Sequence, residues 1–129
     1  MRLTDDDLAA VEPEIRAFLS VEGVDGRAAY VSHLVIEEVV RNLIVHTPPY
    51  ASDELVTVVI TVAADAVTVV IEDQRPSFDP FDAPALDTSA PLDDRRPGGM
   101  GLHLVRNLTD GLSYEGGGDG NRLTAVVSR

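Results

Sequence analysis

Glu38, Asn42 and His46 follow one another at four-residue steps. On a helix such steps stack side chains along one line, and this line runs among Val31, Leu34, Val35 and Val45, in an apolar arc. A carboxylate and an amide in apolar surroundings cost free energy unless they are hydrogen-bonded, paired or bound to a cation. Two readings of the pair stand on spacing alone. Glu38 pairs with a core partner or a helix end; or its partial burial raises its pKa toward general-base duty, while the amide oxygen of Asn42 offers Mg²⁺ a hard ligand. His33, Glu37 and Arg41 share another arc of the same helix, its natural solvent face.

Two further sets have chemistry of their own. Asp73 ends an apolar run, Val67 to Glu72. An aspartate there either caps a turn or accepts a hydrogen bond from an exocyclic amine, which selects adenine over guanine. Gly98, Gly99 and Gly101 precede an apolar-periodic run from Leu102 to Leu108. Glycines let a backbone approach a ligand closely, and the N–H groups that open a helix attract anions, so a polyphosphate suits the place. A plain glycine linker ahead of a helix has the same composition.

The elements that position these groups follow from pattern. Thr4 with Asp5, Asp6 and Asp7 reads as an N-cap followed by acidic residues, opening a helix to about Ser20. A second helix spans about Arg27 to His46 and stops at Thr47-Pro48-Pro49. Leu55 to Val62 and Val67 to Glu72 form a hairpin, with Val56, Val58, Ile60, Val67, Val69 and Ile71 toward the core. Residues 75–97, rich in Pro, Asp, Ala and Ser, read as a long lid-like loop. Leu112 to Glu115 and Leu123 to Val127 flank the turn-rich residues 116–121 as a closing hairpin. Grouped helices and strands without regular alternation predict an α+β fold, a two-layer sandwich with helices on one face of a largely antiparallel mixed sheet.

Composition narrows the function classes. A chain of 129 residues fits one domain, 1–129, with a substantial core. The absence of cysteine excludes disulfides, thiolate metal sites and thiol nucleophiles. A formal charge of −12 argues against sequence-independent nucleic-acid binding, which needs a basic surface, yet it tolerates one nucleotide held by backbone N–H groups and a divalent cation. The longest apolar stretches fall short of a bilayer span, and the acidic start lacks the plan of a secretory signal. A cytoplasmic location with no membrane partner is the expectation.

In order along the chain, these pieces resemble the Bergerat-type ATP-binding fold shared by gyrase, Hsp90, histidine kinases and MutL. Within it they are most similar to the anti-sigma factor serine/threonine kinases. Glu38-Val39-Val40-Arg41-Asn42 with His46 resembles the family's N-box. Asp73 with Phe78-Asp79-Pro80 is similar to its first glycine box and the FDP that follows, Gly98-Gly99-Met100-Gly101-Leu102-His103-Leu104-Val105 to its second, and Gly120-Asn121-Arg122-Leu123-Thr124 to its closing strand. The resemblance implies ATP and Mg²⁺ as ligands. Glu38 would activate a serine hydroxyl on a protein substrate, Asn42 would hold Mg²⁺ on the phosphates, and Asp73 would bind the adenine amine. Gly98, Gly99, Gly101 and Leu102 would line the phosphate site, with Thr124 near the base. It further implies partner switching with an anti-anti-sigma-type protein as substrate, a sigma factor as a further partner, and a homodimer.

The chain departs from that family at Arg75, where glycine is usual two residues after the adenine-binding aspartate, and at Ser77, where a small residue or glycine is frequent. A side chain at 75 crowds a turn that glycine lets pass close to the base. On that feature rests the rival reading, a non-catalytic partner-binding regulator with a degenerate nucleotide site.

Overall fold

The computed structural model describes residues 1–46, 54–74, 99–116 and 120–129, the side chains of 99 and 100 excepted. Arg75, Ser77, Gly98 and the expected lid at 75–97 lie outside the described residues.

Helix α1 (Asp5–Val21) starts as its sequence predicts. The Thr4 side chain accepts from the Asp7 N–H at 3.1 Å, and three aspartates sit in the first turn, where the helix dipole favours them. Hydrogen bonds from the Arg2 side chain and backbone hold the Asp7 carboxyl below its ordinary value. Gly23, at φ 73°, takes the left-handed conformation that ends a helix without the strain a Cβ would bring.

Helix α2 (Gly26–Val45) is the centre of the molecule. Val31, Val35, Ile36, Val39 and Val40 are almost fully enclosed, because α1 and a third helix pack beside α2 while it lies across the sheet. His33, Glu37 and Arg41 form a polar stripe along it. His33 stands 3.7 Å from Glu37 and 4.0 Å from Glu12 of α1, and Arg41 donates to Glu37 at 2.7 Å.

The sheet consists of β1 (Val56–Val62), β2 (Ala66–Asp73), β3 (Gly111–Gly116) and β4 (Asn121–Ser128), in the order β1-β2-β4-β3. Every pairing of these strands is antiparallel, with no parallel pair among the described residues where a mixed sheet was expected. Strand alternation turns one set of residues toward the helices. These are Val56, Val58 and Ile60; Val67, Val69, Ile71 and Asp73; and Asn121, Leu123, Ala125 and Val127. The described residues thus form the α+β sandwich expected, with the helices on one face. β2 and β3 both pair with β4, so they run the same way, and helix α3 (Gly99–Leu108) carries the chain from one to the other.

Two sequence expectations change. Val45 and His46 were placed in the apolar arc of α2, but both are exposed. They lie where the helix ends, with His46 as its C-cap, past the residues that pack on the sheet. α3 begins earlier than expected, at Gly99, so its glycines lie inside the first turn rather than ahead of it. The chain also opens with one strand-like contact. The Met1 ammonium donates to the Val56 carbonyl at 2.9 Å, and Arg2 bridges to Leu55, which adds a single rung at the free edge of β1.

Candidate functional site

Glu38 projects from α2 toward α3. A Cβ built on Gly101 would overlap the Glu38 carboxylate and stand 2.7 Å from its Cγ. The helix therefore has glycine at that point because the carboxylate fills the space a side chain would need. Glu38 is well shielded, its side chain 13 % exposed. Burial pushes its carboxyl above the ordinary glutamate value, Arg41 at 3.5 Å pulls it down, and the neighbouring Glu37 charge adds to the rise. A carboxyl raised by burial beside the N-terminal turn of a helix has the character of a general base next to an anion site.

Asn42 lies one turn further along α2 and is buried. Its Nδ2 finds no hydrogen-bond partner among the described residues. An unpaired buried amide costs about 1–3 kcal/mol, and a ligand at that amide removes the cost. Half a turn of the amide group presents Oδ1 in place of Nδ2, the geometry a hard cation needs.

Asp73, the last residue of β2, is buried at 5 % exposure beneath α2. Register pairs it with Asn121, the first residue of β4, whose Nδ2 donates to Asp73 Oδ1 at 2.8 Å. The Tyr114 hydroxyl donates in turn to Asn121 Oδ1. With its oxygen taken by a donor, the Asn121 amide must turn its NH₂ to Asp73, so the chain Tyr114–Asn121–Asp73 fixes the carboxylate as an acceptor. Gly120, at φ 130°, passes so close to Asp73 that a Cβ would strike its carbonyl oxygen and stand 3.2 Å from Gln74 Cα.

Among the described residues, Asp73 and Asn121 line two hollows. One, of about 330 Å³, is an open depression at the sheet end, bounded also by Glu72, Glu115 and Arg122. The other, about 10 Å³, lies between Val39 and Leu43 of α2 and Ile71, Tyr114 and Leu123 of the sheet. It holds about one water, so a purine on Asp73 requires that apolar crevice to widen.

Of the residues singled out in the sequence, Glu38 and Gly101 meet directly, Asn42 follows Glu38 on the same helix, and Asp73 faces that helix from the sheet. Leu102 is buried in the core. Gly99 opens α3, and Gly98 lies outside the described residues. Thr124 is not brought to Asp73. It pairs with Val70, three residues away along β2, and strand alternation turns it to the face opposite the helices. Asn121 stands at that place instead. Sequence reasoning left Asn121 in a turn; the available signal was its parity with Leu123, Ala125 and Val127, which makes it a polar residue on a core-facing row.

The donor set fits a nucleotide at both ends: a buried oriented carboxylate for an amine, a buried amide on the facing helix whose Nδ2 has no partner among the described residues, and a glycine-opened helix turn for phosphate. Fold and site together define a nucleotide-binding ATPase domain of the histidine kinase type. Residues 1–127 match the histidine kinase-like ATPase domain family, and the chain belongs to it. It is similar to the serine/threonine-protein kinase BtrW of Bordetella bronchiseptica, 28 % identical over 98 residues, which is 76 % of this chain and 69 % of that protein. In fold it is similar to the histidine kinase domain of the blue-light activated histidine kinase of Erythrobacter litoralis, with a TM-score of 0.56 and 14 % identity. That match covers 98 % of this chain, which spans 61 % of the length of the other. Among the described residues no helix is long and apolar enough to cross a membrane.

Proposed function

We propose that this chain is a Mg²⁺-ATP-dependent protein serine/threonine kinase that acts as an anti-sigma regulatory factor and phosphorylates an anti-anti-sigma-type partner protein. The observation that carries the proposal is the seat of Glu38, a burial-raised carboxylate lodged against the first turn of α3. Glu38 takes the proton of a substrate serine hydroxyl, whose oxygen bonds to the γ-phosphorus as the bond to the β–γ bridging oxygen breaks and ADP leaves. Such a transfer depends mainly on positioning and charge neutralisation. Asp73, held by Asn121, accepts from the adenine amine, and the α3 turn receives phosphate. Asn42 would hold Mg²⁺, which would supply charge neutralisation on the phosphates. The kinase named among its relatives supports this reading. A sigma factor as second partner, a homodimer, a cytoplasmic location and independence from nucleic acid and membrane belong to the same proposal.

A second reading has an observation in its favour. The crevice beneath Asp73 is only about 10 Å³, and with Arg75 in the sequence this supports a partner-binding regulator that has lost tight nucleotide binding. Substitution of the base separates the two. Glu38→Ala in the kinase retains Mg²⁺-ATP binding by calorimetry and loses transfer of labelled phosphate to the partner protein. Transfer at the unsubstituted rate removes Glu38 from the chemistry, and no ATP binding by the parent protein favours the regulator.

A further inference from the structure

The phosphate end of the site brings two negative groups together. The Glu38 carboxylate already touches Gly101, in the turn whose N–H groups have no partner within the helix and attract anions. A triphosphate that reaches the same turn stands close to a carboxylate, and like charges at that separation repel strongly where water is excluded. Glu37, the preceding residue, adds a second carboxylate, and the whole chain carries a formal charge of −12.

Arg41 is the cation placed against this pair. Its Nη1 is 3.5 Å from Glu38 Oε1 and its Nη2 is 2.7 Å from Glu37 Oε1, so one guanidinium spans carboxylates three and four residues back along α2. A planar fork with several donors can do this, whereas an ammonium offers a single point of charge. His33 Nδ1 lies 3.7 Å from the other oxygen of Glu37, so a polar ring borders the Glu37 end of the fork. At 45 % exposure, Arg41 retains freedom to follow a charge that arrives beside Glu38.

We propose that Arg41 is a positioning residue for the phosphoryl donor: it holds the Glu38 carboxylate and offsets its charge, so that a nucleoside triphosphate can share the first turn of α3 with the base. This rests on the reading of the site as an ATP site. Its particular consequence is that Arg41 matters for the γ-phosphate, which comes nearest the base, and much less for a diphosphate. The downward pull of Arg41 on the Glu38 carboxyl agrees with the contact.

The test is calorimetric titration of Mg²⁺-ATP and Mg²⁺-ADP into the parent protein, Arg41→Ala, Arg41→Lys, Glu38→Gln and the double variant Glu38→Gln/Arg41→Ala. Arg41→Ala is expected to weaken ATP about tenfold relative to ADP, equivalent to about 1.4 kcal/mol, with Arg41→Lys between it and the parent. Once Glu38 carries no charge there is less to offset, so the double variant is expected to return the ATP-to-ADP ratio to that of Glu38→Gln. An equal loss for both nucleotides, or a loss that Glu38→Gln leaves in place, overturns the proposal and leaves Arg41 a surface ion pair. If the parent protein binds neither nucleotide, the functional reading above fails first; if it binds both and Arg41→Ala leaves their ratio unmoved, this inference alone fails.

Discussion

The carboxylate of Glu38 occupies the space that a side chain at Gly101 would need. Two helices far apart in sequence are thereby joined at the point where the proposed base and phosphate site meet. Gly101→Ala is expected to force the carboxylate out of its seat. A displacement of about 1 Å at a reacting group lowers rate by about 100-fold, so phosphotransfer should collapse while circular dichroism shows the fold retained. Full transfer by Gly101→Ala would show that Glu38 works from another position.

The same burial makes Glu38 a stability liability. Its folded pKa is raised above the ordinary value of 4.5, so the folded state binds the proton more tightly than the unfolded chain does, and stability falls as pH rises from that value through the folded one. Glu38→Gln removes the buried charge. The variant is expected to melt higher than the parent at pH 7, with the gain shrinking to nothing below about the ordinary carboxylate pKa. An advantage independent of pH would place its cause elsewhere.

In the proposed function, base selection falls to Asp73 and Asn121, because Thr124 lies on the other face of the sheet. Asn121→Leu leaves the Tyr114 hydroxyl and the Asp73 carboxylate without the amide between them. A lost buried polar partner costs about 1–3 kcal/mol, and the preference for ATP over GTP should narrow. Thr124→Val, on the far face of the sheet, should change neither quantity. A loss of adenine preference in Thr124→Val, measured by competition binding, would reverse the assignment.

At the amino terminus, Thr4→Ala removes the acceptor for the Asp7 N–H. Loss of an N-cap costs about 1 kcal/mol, readable as a lower melting temperature with nucleotide affinity unchanged. An unshifted melting temperature would mean that Asp7 and Arg2 hold that end without it.

How much of this was legible in the sequence depended on whether a feature was local. The i, i+4 relation of Glu38 and Asn42 is a property of one helix, and the apolar arc around them showed that they face inward. The Thr4 cap and the two-residue alternation in β1 and β2 were equally local. The contact of Glu38 with Gly101 was not, since it needs α3 packed on α2 across some sixty intervening residues. Asn121 was lost to a boundary. With β4 started at Leu123, the asparagine read as turn, and Thr124 inherited a role that strand parity denies it. Val45 and His46 failed for a different reason: periodicity says which way a residue points, not whether anything covers it at a helix end. The rung from Met1 and Arg2 to β1 is too short to leave a pattern.

The central claim, that this is an ATP site and not only a partner-binding surface, is tested most directly by the melting temperature of the protein with and without saturating Mg²⁺-ATP, with Mg²⁺-GTP as control. A ligand that binds only the folded state stabilises it by about 2.7 kcal/mol at one hundred times its Kd. The account predicts a clear rise with ATP and little or none with GTP. No rise at millimolar ATP, or equal rises with both nucleotides, would contradict it.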